Sequence, residues 1–333
     1  MGATPLTDTG HKSAAGKPRR VLIVFNPIAG RRRKRLFAQT VDALNARGCV
    51  LDVQVTQGPG DAVRISREGV AADKFDVIVA AGGDGTINEV IQGMTCTGEG
   101  EAGNAASTNS MYDGPAFATI PFGTVNVLAL DIGLAQKAEA MADTIAGEAY
   151  VAATVGLAQN KNLQRTFLIT AGVGLDSAAV KYLSPRLKRI FSWGAYIFSM
   201  ILALIRDGDV SLEADIDGDV VRGSTIIITN VSRFGGPHVV APDARVEDDN
   251  LTVLVALGLG RKNLVRYGLA FALGRVPKIN DILVRDFTEV RVTSPAGYPI
   301  QIDGDGYGTV PVTFRTAPAK LRLLVPEGYV TGV

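Results

Sequence analysis

Apolar and polar positions alternate along the first half of the chain in two rhythms. "VLIVF" (Val21 to Phe25) and "DVIVAA" (Asp76 to Ala81) are runs rich in β-branched residues, each closed by turn residues, and they predict buried strands. "VLDVQVT" (Val50 to Thr56) alternates as a half-buried strand does. Between the strands, Leu36, Phe37, Thr40, Val41 and Leu44 recur at helical spacing, with Gly48 where a helix stop belongs. After "QGPG", Asp61 is placed to cap a helix running through Ile65. Ile87, Val90, Ile91 and Met94 follow the i, i+3, i+4, i+7 spacing and predict a helix from near Thr86. "AFATIPFGTVNVLAL" adds a strand, a Pro-Phe-Gly turn and a short helix. Strand and helix in alternation predict a doubly wound α/β sheet.

Beyond Tyr150 the rhythm shifts to runs of strands. Val210 to Thr229 reads as a hairpin turning at Asp217 and Gly218, and further strands are expected at 251 to 257, 282 to 293 and 309 to 325. A mostly antiparallel β second domain follows, interrupted by one helix, Leu187 to Arg206, with an aromatic apolar middle and basic ends. That helix suits either a buried position or a place near lipid. The organisation expected is a flexible polar leader over 1–19, an α/β domain over 20–149 and a β-rich domain over 150–326, with a return of the C-terminus to the first domain left open. The polar, glycine-rich stretch Thr97 to Gly114 reads as a surface insertion.

Length and charge narrow the classes of function. The chain has 333 residues, enough for about two domains at roughly 150 residues each. Its 34 basic and 33 acidic residues leave a net charge of +1, so no overall field recruits nucleic acid or an anionic membrane, and any attraction to either must be local. Cys49 and Cys96 build neither a disulfide framework nor a zinc site, and a reducing compartment is the expectation. The longest uncharged run, Ile190 to Ile205, falls short of the roughly 18 residues of a membrane span.

The chemistry is concentrated in "AAGGDGTINEV" (Ala80 to Val90). Strand, glycine turn and helix let main-chain amides converge on a phosphate. Asp84 is not explained by a phosphate alone; a hydrated magnesium ion or a substrate hydroxyl would use its carboxylate. A turn that merely packs a strand on a helix would also contain these glycines. In "DGDG", Asp303 and Asp305 read locally as a hairpin turn.

"GGDGTINE" resembles the nucleotide-binding signature of the diacylglycerol kinase catalytic family, which includes bacterial lipid kinases, sphingosine kinases and ceramide kinases. "NPIAG", "TQGPGDA", "PFGTVNVLA", "AGVGLDSAAV", "NVSRFGGPHVVAPDARVEDDNL" and "IQIDGDG" resemble other blocks of that family, in its order, from Val21 to Pro326. The resemblance implies an ATP- and Mg2+-dependent lipid kinase. Asn26, Gly30, Thr56, Thr124 and the loop of Gly82, Gly83, Asp84, Gly85, Thr86, Ile87, Asn88 and Glu89 would surround ATP, with Asp84 near the transferred phosphate and its metal. Asp305 would be the general base and Asp176 would lie near the lipid head. Asp248, with the carbonyls of Arg245 and Asn250, would hold a structural magnesium ion. Asp305 stands where the family usually has glutamate, Val127 where many members have aspartate, and "EDDNL" where Asp-Asp-Gly-Leu is usual. The implied setting is cytoplasmic and peripheral to a membrane, with a lipid substrate at the membrane surface, no nucleic acid partner, and a homodimer compatible with the sequence. A soluble NAD or sugar kinase sharing only the glycine motif, or a nucleotide-binding regulator without turnover, are the alternatives. The basic run Arg31 to Arg35 suits ATP phosphates, anionic lipid or plain solvent.

Overall fold

A computed structural model describes residues 17–29, 33–95, 110–161, 163–175, 177–178 and 210–330. The expected helix Leu187 to Arg206, most of the 97–114 insertion and most of the leader lie outside the described residues, as do Gly30, Arg31, Arg32, Cys96 and Asp176. The chain divides into two compact units. One comprises the N-terminal part through Val155, Arg245–Glu247 and the C-terminal part from Pro318; the other comprises Gly156–Ala244 and Asp248–Ala317.

The first unit is the doubly wound α/β sheet expected from the alternation. Its elements are β1 (Arg20–Phe25), α1 (Lys34–Ala46), β2 (Val50–Val55), α2 (Asp61–Ala71), β3 (Val77–Gly82), α3 (Asp84–Thr95), β4 (Ser110–Met111), β5 (Ala116–Pro121), α4 (Val127–Asp131), α5 (Ala138–Ala146) and β6 (Tyr150–Ala153). A return strand, Ala319–Leu324, pairs parallel to β5 and β4 and antiparallel to β6. The order is β2-β1-β3-β5-return-β4, with β1, β2, β3 and β5 mutually parallel. β3 and β5 are buried at every position, as strands covered on both faces must be, whereas β2 at the edge exposes Val50, Val53 and Val55. α1 stops at Gly48, whose φ of 76° lets its amide turn back onto the Asn45 carbonyl. Asp61 is the first helical residue of α2 rather than its cap: Gly60 holds the cap position, and the Asp61 carboxylate accepts the Gln57 amide at 2.7 Å.

The second unit is a β-sandwich. Its strands are β7 (Gly156–Asn160), β8 (Leu163–Phe167), β9 (Thr170–Val173), β10 (Leu212–Ile216), β11 (Asp219–Gly223), β12 (Thr225–Thr229), β13 (Arg233–Phe234), β14 (His238–Val239), β15 (Leu251–Ala256), β16 (Ile282–Phe287), β17 (Glu289–Ser294), β18 (Pro299–Ile302), β19 (Asp305–Thr309) and β20 (Val312–Thr316). One six-stranded sheet runs β11-β10-β17-β20-β7-β8 and the other β16-β15-β12-β9-β18-β19. Their facing sides form a single core in which Phe167 and Phe314 meet edge to face at 6.5 Å, amid Ile216, Ile226, Ile228 and Val253. Alternation along the strands sends Ile227 and Leu254 to the opposite face, where they meet a second apolar cluster. The hairpin at Asp217 and Gly218 is present, both residues at positive φ, and the Asp217 carboxylate accepts the amides of Thr288 and Glu289.

Two expectations are amended here. The boundary placed at 149/150 lies later, after Val155, because β6 pairs with the return strand of the first unit. The second unit also contains a helix, α6 (Arg261–Ala272), that the strand pattern did not predict.

Candidate functional site: the glycine turn and the acids of the sandwich

The turn after β3 is tight for reasons that its side chains would violate. A Cβ on Gly82 would lie 2.3 Å from the Thr86 hydroxyl. Gly83 and Gly123 face each other so closely that a Cβ on Gly123 would meet the Gly83 Cα at 2.6 Å and Asn126 Oδ1 at 2.7 Å. The two turns are tied by main-chain bonds as well: the amides of Phe122 and Gly123 both donate to the Gly82 carbonyl. Bare backbone is therefore presented from two loops at the carboxyl ends of adjacent parallel strands; the amides of Thr86 and Ile87 turn back onto the Gly83 carbonyl, and those of Asp84 and Gly85, which open α3, precede the reach of their own helix's carbonyls. An anion that bonds through its oxygens fits such a surface.

Aromatic and amide side chains hold this turn from beneath. Phe25 at the end of β1 stacks on Phe37 at 4.1 Å, and Phe122 meets both edge-on. Asn26 donates its amide to the Thr86 hydroxyl at 3.0 Å and accepts from the backbone amides of Ile28 and Ala29 with its carbonyl oxygen. Thr56 is buried beyond the end of β2, its amide bonded to the Phe25 carbonyl. Thr124 is exposed on the second loop and Gly85 lies in the first turn of α3. Asn26, Thr56, Gly82, Gly83, Asp84, Gly85, Thr86 and Thr124 thus gather at the carboxyl ends of β1, β2, β3 and β5.

The last three residues of the expected nucleotide loop lie within α3. Ile87 and Asn88 are 2% and 1% exposed: Ile87 packs in the core, and Asn88 is a buried amide whose Oδ1 accepts no hydrogen bond among the described residues. The Glu89 carboxylate accepts the amides of Gly60 at 3.0 Å and Ala62 at 3.2 Å, capping the N-terminus of α2 from the neighbouring helix. The sequence offered no signal for this, because the cap comes from 29 residues away.

Asp84 carries the electrostatic tension of the turn. Its carboxylate oxygens lie 3.1 and 3.3 Å from the Val127 amide, which opens α4. Burial pushes the carboxyl from 3.8 up to about 6, and the main-chain amides of Val127, Asn126 and Leu128 pull the other way. A largely desolvated acid opposed only by backbone dipoles fits a group completed by a divalent cation, so the residues present accommodate the Mg2+ that the resemblance implies. Asn126 enters this corner in the left-handed conformation at φ 54°, and its Oδ1 is buried without a hydrogen-bond donor. Where many family members have aspartate, Val127 contributes its backbone amide, and its side chain is buried.

In the second unit the "DGDG" segment is a hairpin turn, as local chemistry indicated. Asp303 and Gly304 occupy its two central positions with φ of 47° and 84°. The two aspartates separate cleanly in role. Asp303 is 6% exposed and its carboxylate accepts the amides of Thr170 at 2.8 Å, Ile169 at 3.2 Å and Leu168 at 3.4 Å. It pins β18 to the start of β9 and is structural. Asp305 opens β19 opposite Ile302 and is partly exposed. Two residues on, Tyr307 accepts a hydrogen bond at 2.9 Å from Arg165, whose guanidinium also lies 4.3 Å from the Tyr307 ring centroid, a pairing no sequence pattern announced.

Arg245, Asp248 and Asn250, the residues expected at a structural metal site, lie in the loop between β14 and β15. Asp248 and Asn250 are exposed, and among the described residues no three acids, histidines or cysteines cluster as metal ligands. The donors named for it are one carboxylate and two carbonyls, an oxygen set that suits a hard cation. Neighbouring carbonyls are already used: Val246 accepts the Thr154 amide and Glu247 accepts the Lys320 ammonium at 3.0 Å.

A cavity of about 100 Å3 opens on the outer face of the sheet containing β12 and β15, beneath α6. Ile227, Phe234, Leu254, Leu264, Phe271 and Val276 line it, together with Gly268. The hydroxyl of Tyr267, one of its few polar neighbours, is taken up by Asp281 and the Gly258 amide, each at 2.8 Å. The space exceeds what one water needs by roughly six- to tenfold, yet the walls offer almost nothing for water to bond.

Comparison with known proteins finds a family match in each half of the chain. Residues 20–158 match the diacylglycerol kinase catalytic domain, and residues 169–325 match the YegS C-terminal NAD kinase beta sandwich-like domain. A diacylglycerol kinase of Bacillus subtilis (strain 168) is 26% identical over 316 residues, covering 93% of this chain and 97% of the relative. One of Staphylococcus aureus (strain MRSA252) is 25% identical, covering 94% of each. A solved chain from Bacillus anthracis str. Sterne superposes with a TM-score of 0.75 at 21% identity, covering 96% of this chain and 99% of that one. A second, described as a diacylglycerol kinase of the same organism, gives 0.66 at 20% identity and covers 94% and 98%. At such identities the structures establish the fold alone. With a kinase catalytic domain matched over the glycine turn and its partner domain matched over the sandwich, the chain belongs to the diacylglycerol kinase catalytic family.

Proposed function

We propose that the chain is an ATP- and Mg2+-dependent lipid kinase that transfers the γ-phosphate to a hydroxyl of diacylglycerol or a related lipid. The observation that carries the lipid half of this reading is the apolar cavity beneath α6. A soluble acceptor such as NAD or a sugar offers polar groups that need partners, and burying them against such walls is costly, whereas an acyl chain gains about 0.8 kcal/mol per buried methylene. The phosphate half rests on the bare turn of Gly82, Gly83 and Gly123 and on family membership.

In this reading the backbone amides of the turn hold the triphosphate. When bound, magnesium would neutralise phosphate charge, and Asp84 is the residue that would hold it. Asp305 orients the acceptor hydroxyl and takes its proton as the oxygen bonds to the γ-phosphorus and the bond to the β-γ bridging oxygen breaks, releasing ADP. An aspartate is a weak base, but this reaction asks mainly for positioning and charge neutralisation, so a carboxylate that accepts the proton late suffices.

The test uses labelled ATP, the full-length protein and a panel of dispersed diacylglycerols of graded chain length, with NAD as soluble competitor. Label is expected in lipid and not in NAD. Gly268→Leu adds a side chain at a cavity-lining position where a Cβ meets nothing within 4 Å. It should raise KM for long-chain acceptors about tenfold and leave short-chain ones little changed. Preferential labelling of NAD, or a Gly268→Leu enzyme indifferent to chain length, would count against the lipid reading.

A further inference from the structure

The helix over the cavity is apolar on both its sides. Leu264, Tyr267, Gly268 and Phe271 of α6 face inward. On the outer side Val265, Leu269 and Leu273 recur every four residues at 44%, 60% and 65% exposure, one stripe just past the helix end. Leu257 and Leu259, in the loop that leads into α6, are also exposed. Isolated exposed leucines are ordinary on a protein surface, but a run of five large apolar residues within Leu257 to Leu273 is not scattered.

The charge of the same segment is one-sided. From Leu257 to Asn280 the sequence has Arg261, Lys262, Arg266, Arg275 and Lys278 and no acid. The first acid after it, Asp281, is held by Arg266 and by the Tyr267 hydroxyl. Lys262 projects from the same outer side as the leucine stripe, and Arg275 and Lys278 are exposed just beyond the helix. Since the whole chain carries a net charge of only +1, this concentration is local.

We propose that the outer face of α6 is the surface by which the protein lies on an anionic lipid bilayer. The leucines enter the boundary between head groups and acyl chains while the basic side chains remain at the level of the head groups, the arrangement of an interfacial helix. A protein partner would need apolar and acidic groups in a matching pattern; an anionic bilayer supplies both over any area, and charge complementarity favours it. The assignment deepens the lipid-kinase reading, for which it supplies the surface that delivers the acceptor, but its test does not depend on turnover.

The test is co-sedimentation of the full chain with vesicles of phosphatidylglycerol and phosphatidylcholine in equal parts, against vesicles of phosphatidylcholine alone. The wild type is expected on the anionic vesicles and released by high salt. Leu269→Glu/Leu273→Glu should bind at least about tenfold more weakly, and Lys262→Glu/Arg275→Glu by about fivefold or more per charge removed. Unchanged thermal unfolding identifies correctly folded variants, and the charge pair, on exposed positions, covers the case in which the leucine pair does not fold. Labelling of a short-chain diacylglycerol in monomeric solution should be equal in wild type and variants. Wild type that ignores anionic vesicles, or variants that bind as wild type does, would overturn the assignment. If instead vesicle binding follows expectation and no lipid is ever labelled, the docking surface stands and the kinase reading fails.

Discussion

Replacing Asp84 with asparagine should make the protein more stable at neutral pH and inactive. Burial lifts the carboxyl from 3.8 to about 6, so the folded protein binds this proton more tightly than the unfolded chain does. Ionisation of Asp84 therefore costs stability: nothing below about pH 4, progressively more between about 4 and 6, and the full amount above about 6. A difference of about 2 units corresponds to about 3 kcal/mol, and partial exposure together with a weaker acceptor for the Val127 amide reduces the gain from asparagine to about 1–3 kcal/mol. At about 2–4 °C per kcal/mol for a domain of this size, Asp84→Asn should unfold several degrees higher at pH 8. The advantage should shrink as the pH falls through about 6 and vanish near pH 4. Thermal unfolding of both proteins from pH 4 to 8 measures this, with phosphoryl transfer alongside. A variant no more stable than wild type at pH 8, or an advantage that does not vary with pH, would refute the view that Asp84 is held ionised against its surroundings for the sake of its ligand.

Further outcomes follow from the same geometry. Gly123→Ala places a methyl group 2.6 Å from the Gly83 Cα and 2.7 Å from Asn126 Oδ1, so the two loops must part. It should weaken ATP binding by at least about tenfold and cost about 1–3 kcal/mol, read by calorimetry and unfolding. Asp303→Ala removes the acceptor of three buried amides and should cost about 3 kcal/mol or more, visible in denaturant unfolding, where replacement of the partly exposed Asp305 should cost little.

Much of this fold was written in local pattern. The β1 and β3 runs, the helical spacing of Ile87, Val90, Ile91 and Met94, and the Asp217-Gly218 hairpin each express a single period or turn that the structure keeps. What escaped were features made by residues distant in sequence. β6 belongs with the first unit only because the return strand, some 170 residues on, comes to pair with it. α6 was missed because its apolar residues lie on two faces, which blurs the one-sided helical period. At the site, the glycines were legible because close backbone approach demands glycine. The roles of Glu89 and Asp303 were not: each carboxylate serves main-chain amides of a different element, and nothing near it in the sequence names them. Asp84 was legible as a necessary acid, but its tension with the Val127 amide and its burial required the fold.

If Asp305 directs an acceptor hydroxyl while the glycine turn holds the phosphate donor, single-turnover transfer from labelled ATP to diacylglycerol will show it. Wild type should pass label to lipid. Asp305→Ala should bind ATP with unchanged affinity yet transfer at least about a hundredfold more slowly, with Asp305→Glu recovering most of the loss. Equal rates in wild type and Asp305→Ala, or no labelled lipid from the wild type at all, would contradict it.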